Sequence, residues 1–439
     1  MKKLIEGLEL RSEVPETAAS GEGLCAELAC GLTLDDHNFY RFPCAILGGV
    51  GTGKTRLTKQ LLEPVLERAR LAGDNVVIFA AKPDLMRYAR PGDIVIRVDQ
   101  SQPNAEWNLF LDMEASGDPE LTSRELSSTL FQEARDRTNQ IFFPDAARDC
   151  FHNTAMYLYN YGKENGIRMT NGDLVEFLTT TPVHGSEDSP GWIELARDCP
   201  EYFGMMRDYL GNGTEQGMGV LSELRTQIFT TFFRSFASCE GTFSAVEAIR
   251  SGGRVIFLHY DYAKASSSAM RIFKIILDLM MKQSLSGENL HKTYFFLDEF
   301  ALLPKLEHLQ TCLSYGRDPS DREIGGCRVL VTLQSARVLS RHYGEEEALT
   351  LLSLFPNIIS LQVMDSMSRR LLADRYGESR YQYSYTVPGG KPQHIDCLEH
   401  VVSDYHYGQL TRPGQAIMSL PFICNEPFFY DGYRKEQML

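Results

Sequence analysis

Eight consecutive residues, Gly48-Gly49-Val50-Gly51-Thr52-Gly53-Lys54-Thr55, satisfy the pattern G-x-x-x-x-G-K-[ST] at all of its fixed positions. Glycines at this spacing let backbone N–H groups wrap a chain of phosphates. A helix beginning just after them adds a favourable dipole for negative charge. In that chemistry Lys54 reaches the β- and γ-phosphates and Thr55 supplies a hydroxyl ligand to Mg²⁺, with Arg56 completing the nucleotide-binding set. The competing reading, a merely tight glycine turn, does not account for the apolar run before the loop and the helical pattern after it.

A second group stands more than two hundred residues later. Tyr294-Phe295-Phe296-Leu297-Asp298-Glu299 is an apolar strand ending in two carboxylates. Asp298 is expected to hold the magnesium, and Glu299 to act as general base on an attacking water. Gln334 closes the next apolar run, Val331-Thr332-Leu333, where a polar side chain can sense the γ-phosphate or hold the lytic water; a plain strand-end residue is the alternative. Arg317, in Tyr315-Gly316-Arg317, follows a helix expected to run from the acidic strand. It is read either as an arginine finger acting on a neighbouring subunit's nucleotide or as a solvent-facing helix C-terminal residue. Arg322 and Arg328 compete for the same role.

Other residues carry less. Trp107 reads as a core or hinge anchor before it reads as a stacking platform for a base. His308 and His342 are expected at the surface, and Lys305, Arg337 and Arg341 read as a solvated charged face before a nucleic-acid channel.

These side chains need a scaffold. The run Pro43 to Leu47, the glycine loop, a helical stretch to Ala72 stopped by Gly73, and Val76 to Phe79 make a βαβ unit, and Ile94 to Val98 adds a strand. Between about Glu120 and Phe236 the pattern turns helical, best at Leu121 to Asn139, Ala146 to Tyr161, Asp173 to Leu178 and Gly217 to Phe236. Strands return at Val255 to Leu258, Tyr294 to Leu297, Val329 to Leu333, Ile358 to Val363 and Ala416 to Met418, with a helix at Ala269 to Gln283. The expected class is α/β, with a mainly parallel sheet interrupted by an all-α insertion. Its divisions are 1–113 for the first part of the nucleotide-binding domain, 114–240 for the insertion and 241–439 for the second part.

Composition fits a folded globular chain of 439 residues, 43% hydrophobic and 23% charged. A net charge of −14 excludes a surface that coats nucleic acid non-specifically and confines any DNA contact to a local channel. Ten cysteines without a C-x-x-C pair read as reduced core thiols. The start of the chain reads as neither signal peptide nor anchor, and a cytoplasmic location is expected.

With these pieces in order, the chain resembles the type IV secretion coupling proteins, the TraD/TraG-like DNA-transport ATPases within the wider FtsK/HerA group. The likeness lies in Gly48 to Thr55, in Trp107-Asn108-Leu109-Phe110 before the helical segment, and in Gly241-Thr242-Phe243-Ser244 before the strand at Val255. It continues through Phe295 to Leu306, Gly316-Arg317, Leu333-Gln334-Ser335 and Gly414-Gln415-Ala416-Ile417. The resemblance implies a RecA-like P-loop domain interrupted by an all-α domain, Mg-dependent ATP hydrolysis at subunit interfaces, and a homohexamer. DNA, expected to be single-stranded, would pass through its central channel. Implied partners are a relaxosome or secreted protein substrates and a secretion channel or membrane-anchor protein at the inner face of the bacterial membrane. Two departures stand out: the family's pair of N-terminal membrane helices is missing, and Asp318 to Gly326 are extra. The acidic balance leaves open an ATPase adaptor that recruits protein substrates without pumping DNA.

Overall fold

A computed structural model describes residues 2–17, 23–99, 104–186, 189–210, 215–261, 269–287, 289–316, 326–386 and 391–432. In chain order its strands are β1 (Lys2–Glu6), β2 (Cys25–Glu27), β3 (Thr33–Asp35), β4 (Cys44–Leu47), β5 (Asn75–Ala80), β6 (Ile94–Arg97) and β7 (Val255–His259). They continue as β8 (Thr293–Leu297), β9 (Cys327–Leu333), β10 (Asn357–Ser360), β11 (Glu378–Thr386), β12 (Pro392–His400), β13 (Gln415–Ser419) and β14 (Phe428–Asp431). The chain divides into two compact units: 1–80 with 253–255 and 289–439, and 81–252 with 256–288.

In the first unit the strands run in the order β14-β13-β10-β4-β9-β8-β5. Pairing is parallel from β10 through β4, β9 and β8 to β5, and antiparallel between β10, β13 and β14. Strands β4, β8 and β9 are buried at every position, which is why they read as unbroken apolar runs. The strand expected at Ile358 to Val363 ends at Ser360; the Leu361 N–H still donates to the Leu47 carbonyl (2.8 Å) as the last bond of the parallel ladder, and the Gln362 carbonyl accepts from the Gly49 N–H in the glycine loop. Helix α1 (Lys54–Ala72) ends on left-handed Gly73, whose N–H donates to the Ala69 carbonyl. A separate three-stranded sheet, β1-β11-β12, joins residues 2–6 to the ribbon at 378–400.

The second unit is mostly helical. It contains the parallel pair β6 and β7, with Ile94 opposite Ile256, and helices at Leu109–Ala115, Pro119–Asp136, Phe142–Asn165, Asn171–Thr180, Trp192–Asp198, Pro200–Leu210, Glu215–Thr231, Ala245–Ser251 and Ala269–Ser284. The helix expected to run to Phe236 ends at Thr231. A short 3₁₀ turn, Arg234–Ala237, follows it, with Arg234 at φ 52°.

Its interior is organised around a polar knot. Asp112 is fully buried and accepts hydrogen bonds from the Trp107 indole N–H (2.6 Å), the Ser244 hydroxyl (2.6 Å) and the Val246 N–H (2.9 Å). Burial pushes its carboxyl up to about 6 against the pull of these donors. Asn108 caps the helix that contains Asp112, and its amide donates to the Met169 and Gly241 carbonyls. The Asn171 amide donates to the Trp107 carbonyl. Trp107 is therefore an anchor, 1% exposed, and its indole faces protein.

All ten cysteines are free thiols, but only Cys44, Cys150, Cys312 and Cys327 are buried, and Cys239 is exposed. They are not uniformly core residues. Among the described residues no helix is long and apolar enough to cross a membrane.

Candidate active site

The glycine loop leaves the C-terminal end of β4, between the ends of β9 and β10. The Gly48 N–H donates to the Leu333 carbonyl (3.0 Å) and the Gly49 N–H to the Gln362 carbonyl (2.8 Å), so both neighbouring strands hold the loop. Gly53, at φ 104°, starts helix α1 in a conformation L-side chains avoid, and a Cβ there would meet the Gly414 nitrogen at 2.9 Å. A Cβ on Gly48 would lie 2.7 Å from the Thr52 hydroxyl. Thr52 Oγ1 donates to the Gly49 carbonyl (2.9 Å), closing the turn, while Val50 projects from the tip at 86% exposure. Lys54 is buried, and its ammonium lies over the loop, donating to the carbonyls of Gly48 and Gly49 (2.8 Å for Gly49). Thr55 is half-buried and Arg56 exposed on the first turn of α1.

Strand β9 lies between the loop strand β4 and the acidic strand β8 and ties them chemically. The Thr332 hydroxyl accepts from the Glu299 N–H (3.0 Å) and donates to Asp298 Oδ1 (3.1 Å). Two residues on, Gln334 Nε2 donates to Glu299 Oε2 (2.9 Å). Asp298 and Glu299 are 3% and 5% exposed, and the Asp298 N–H is held by the Phe79 carbonyl of β5 (3.1 Å). Glu299 sits at φ 55°, a left-handed conformation that costs a non-glycine residue on the order of 1 kcal/mol. The strain turns the chain sharply off β8 and presents the carboxylate to Gln334.

The cradle fits a nucleotide and magnesium. Tight glycines, N–H groups at a helix start, one ammonium, and oxygen donors on Thr55 and Asp298 form the set a phosphate chain with a hard cation requires.

The structure corrects the expected helix after the acidic strand. A 3₁₀ turn, Phe300–Leu302, comes first, and the helix Leu309–Tyr315 begins only after an irregular stretch. Arg317 and Arg322 lie outside the described residues. Arg328 is not a finger: it is buried, burial lowers its pKa, and its guanidinium donates to the Gly316 (2.7 Å) and Cys327 carbonyls. His308 and His342 are half-buried, not surface residues, and His342 Nε2 bonds the Ala301 carbonyl. Lys305 pairs with Glu347 (2.7 Å), while Arg337 and Arg341 are exposed.

Thr332 was hidden in the sequence because a threonine inside Val-Leu-Val-Thr-Leu reads as a strand former. Its role appears only once β9 is set beside β8 with Val331 opposite Leu297.

Residues 38–186 and 212–392, more than half of the chain, match the family described as the type IV secretion-system coupling protein DNA-binding domain. No curated protein matches the chain by sequence. Among solved structures, the unbound bacterial conjugative coupling protein TrwBdeltaN70 shares 18% identity over 98% of this chain and 93% of its own, with a TM-score of 0.72. Plasmid coupling protein TrwB in complex with ADP and Mg²⁺ gives 18%, 98%, 95% and 0.71. VirB4 of Thermoanaerobacter pseudethanolicus is more distant, at 14% identity over 95% of this chain and 97% of its own, with a TM-score of 0.54. The shared fold is the RecA-like P-loop arrangement with its helical segment. By the extent of the family match, this chain belongs to the type IV secretion-system coupling proteins, in the family of their DNA-binding domain.

Proposed function

We propose that the protein is an ATP-driven motor that moves DNA, or a relaxase carried on DNA, toward a conjugative type IV secretion channel. Family membership and the fold shared with TrwB, which has been solved with ADP and Mg²⁺ and with an ATP analogue, support this reading. The observation that carries it is strand β9, which lies between the phosphate-loop strand β4 and the acidic strand β8 and holds both carboxylates through Thr332 and Gln334.

Lys54 binds the terminal phosphates, and the backbone from Gly48 to Arg56 cradles them. Thr55 and Asp298 hold the magnesium, which when bound offsets charge on the phosphates. Glu299 takes the proton of the attacking water, and Gln334, bonded to that carboxylate, registers whether the γ-phosphate is present. Arg317 of a neighbouring subunit completes the site in a ring of six, with segments 1–113 and 241–439 forming the motor and 114–240 receiving substrate. The motor is cytoplasmic and is recruited to the inner face of the membrane by its channel or an anchor protein.

Glu299→Gln tests the central assignment. ATP binding should persist while turnover falls by about 10² to 10⁴. Retained turnover would remove Glu299 as the base.

A further inference from the structure

Strand β9 ends at Leu333, so Gln334 lies just beyond the ladder that fixes the strand, with its amide on Glu299. Its place depends on what holds the next two residues, Ser335 and Ala336.

Both are held from a distant segment. The Ala336 N–H donates to Ser368 Oγ (2.8 Å), and the hydroxyl oxygens of Ser335 and Ser368 lie 3.1 Å apart. Ser368 is 0% exposed, and a buried hydroxyl hydrogen needs an acceptor. Among the described residues Ser335 Oγ is the one acceptor it reaches, so Ser368 donates to Ser335. Ser335 Oγ in turn accepts from the Arg337 N–H (3.1 Å). The two hydroxyls thereby satisfy N–H groups at the start of the helix Arg337–Tyr343, whose N-cap residue, Ala336, offers no side-chain acceptor.

Ser368 is anchored independently of β9. It lies in the first turn of the helix Ser366–Tyr376, where its N–H donates to the capping Asp365 carboxylate (2.8 Å). Near the other end of that helix, Arg375 donates to the Phe355 (2.6 Å) and Leu352 (3.2 Å) carbonyls. The chain that enters the helix has just passed the phosphate loop, where the Gln362 carbonyl accepts from the Gly49 N–H (2.8 Å). Residues 362–368 therefore form a strut with one end on Gly49 and the other on Ser335.

We propose that Ser368 is a positioning residue for hydrolysis: by holding Ser335 and Ala336 it sets Gln334 against Glu299 in a frame shared with the phosphate loop. The assignment rests on the reading of Glu299 as general base and Gln334 as its partner. Ser368 bonds neither carboxylate and acts through Gln334, so losing its hydroxyl costs turnover and spares nucleotide binding.

Hydrolysis of radiolabelled ATP and binding of Mg-ADP are measured on the full chain for the wild type, Ser368→Ala, Gln334→Ala and the double variant. Ser368→Ala should lower kcat about tenfold, with KM and Mg-ADP affinity within about twofold of the wild type. The double variant should be no slower than Gln334→Ala alone, whereas an independent structural loss would multiply with it. If Ser368→Ala does not fold, Ser335→Ala takes its place in the cycle with the same prediction, since it removes the hydroxyl pair from a half-buried position. Unchanged kcat in the serine variant, a Gln334→Ala protein as fast as the wild type, or losses that multiply in the double variant would each overturn the assignment. A wild type that binds Mg-ADP without hydrolysing ATP would instead overturn the ATPase reading on which it rests.

Discussion

The polar cluster at the phosphate loop and the one around Trp107 draw on the same residue types: glycine, aspartate, asparagine or glutamine, and a hydroxyl. In the helical unit every donor around Asp112 points inward and ends on a protein acceptor, and helix starts at Asn108 and Ser244 are capped in the process. At the loop the sheet stops, Val50 projects into solvent, Glu299 is held in a strained conformation, and the Lys54 ammonium rests on backbone carbonyls that a phosphate can replace. Saturated partners make a joint, whereas exchangeable partners at open strand ends make a site.

Substitutions separate the two. Lys54→Ala should weaken Mg-ATP binding about a hundredfold, the loss of one charged phosphate contact, while thermal stability barely moves. Asp112→Asn should do the reverse. Its amide opposes either the Trp107 N–H or the Ser244 and Val246 donors, costing on the order of 2 kcal/mol of stability with nucleotide affinity unchanged. A Tm that falls with Lys54→Ala, or an affinity that falls with Asp112→Asn, would erase the distinction. Thr332→Val should sit between them. It strips the Glu299 N–H and Asp298 of a partner inside the core, lowering stability by about 1–2 kcal/mol and turnover more than substrate affinity.

The smallest effect is on pH dependence. The folded Asp112 carboxyl is raised to about 6, so the folded protein binds its proton more tightly than the unfolded chain does. Acidification from pH 7 to 5 should therefore add about 1 kcal/mol of stability from this group. That gain is lost again as pH rises through 6. Denaturant titrations of the wild type and Asp112→Asn at both pH values isolate it.

Much of this was legible in the sequence because the parallel strands are buried on both faces and read as apolar runs, and because the loop's glycines, lysine and threonine are contiguous. Gly73 stops α1 where expected. The ribbon β11–β12 was missed although Tyr381, Tyr383 and Tyr385 alternate with polar residues at the period of a strand; much of it is exposed, so no aliphatic run draws the eye to that alternation. Nor could spacing reveal Asp112 or Thr332. Asp112 depends on Ser244 from a distant segment, and Thr332 depends on the register of two strands joined only in space.

Steady-state ATP hydrolysis by the purified wild-type protein, with and without single- and double-stranded DNA and with light scattering to follow assembly, tests the motor most directly. The account predicts several-fold faster turnover on DNA together with growth toward a ring of six. Turnover and assembly indifferent to both forms of DNA would contradict it.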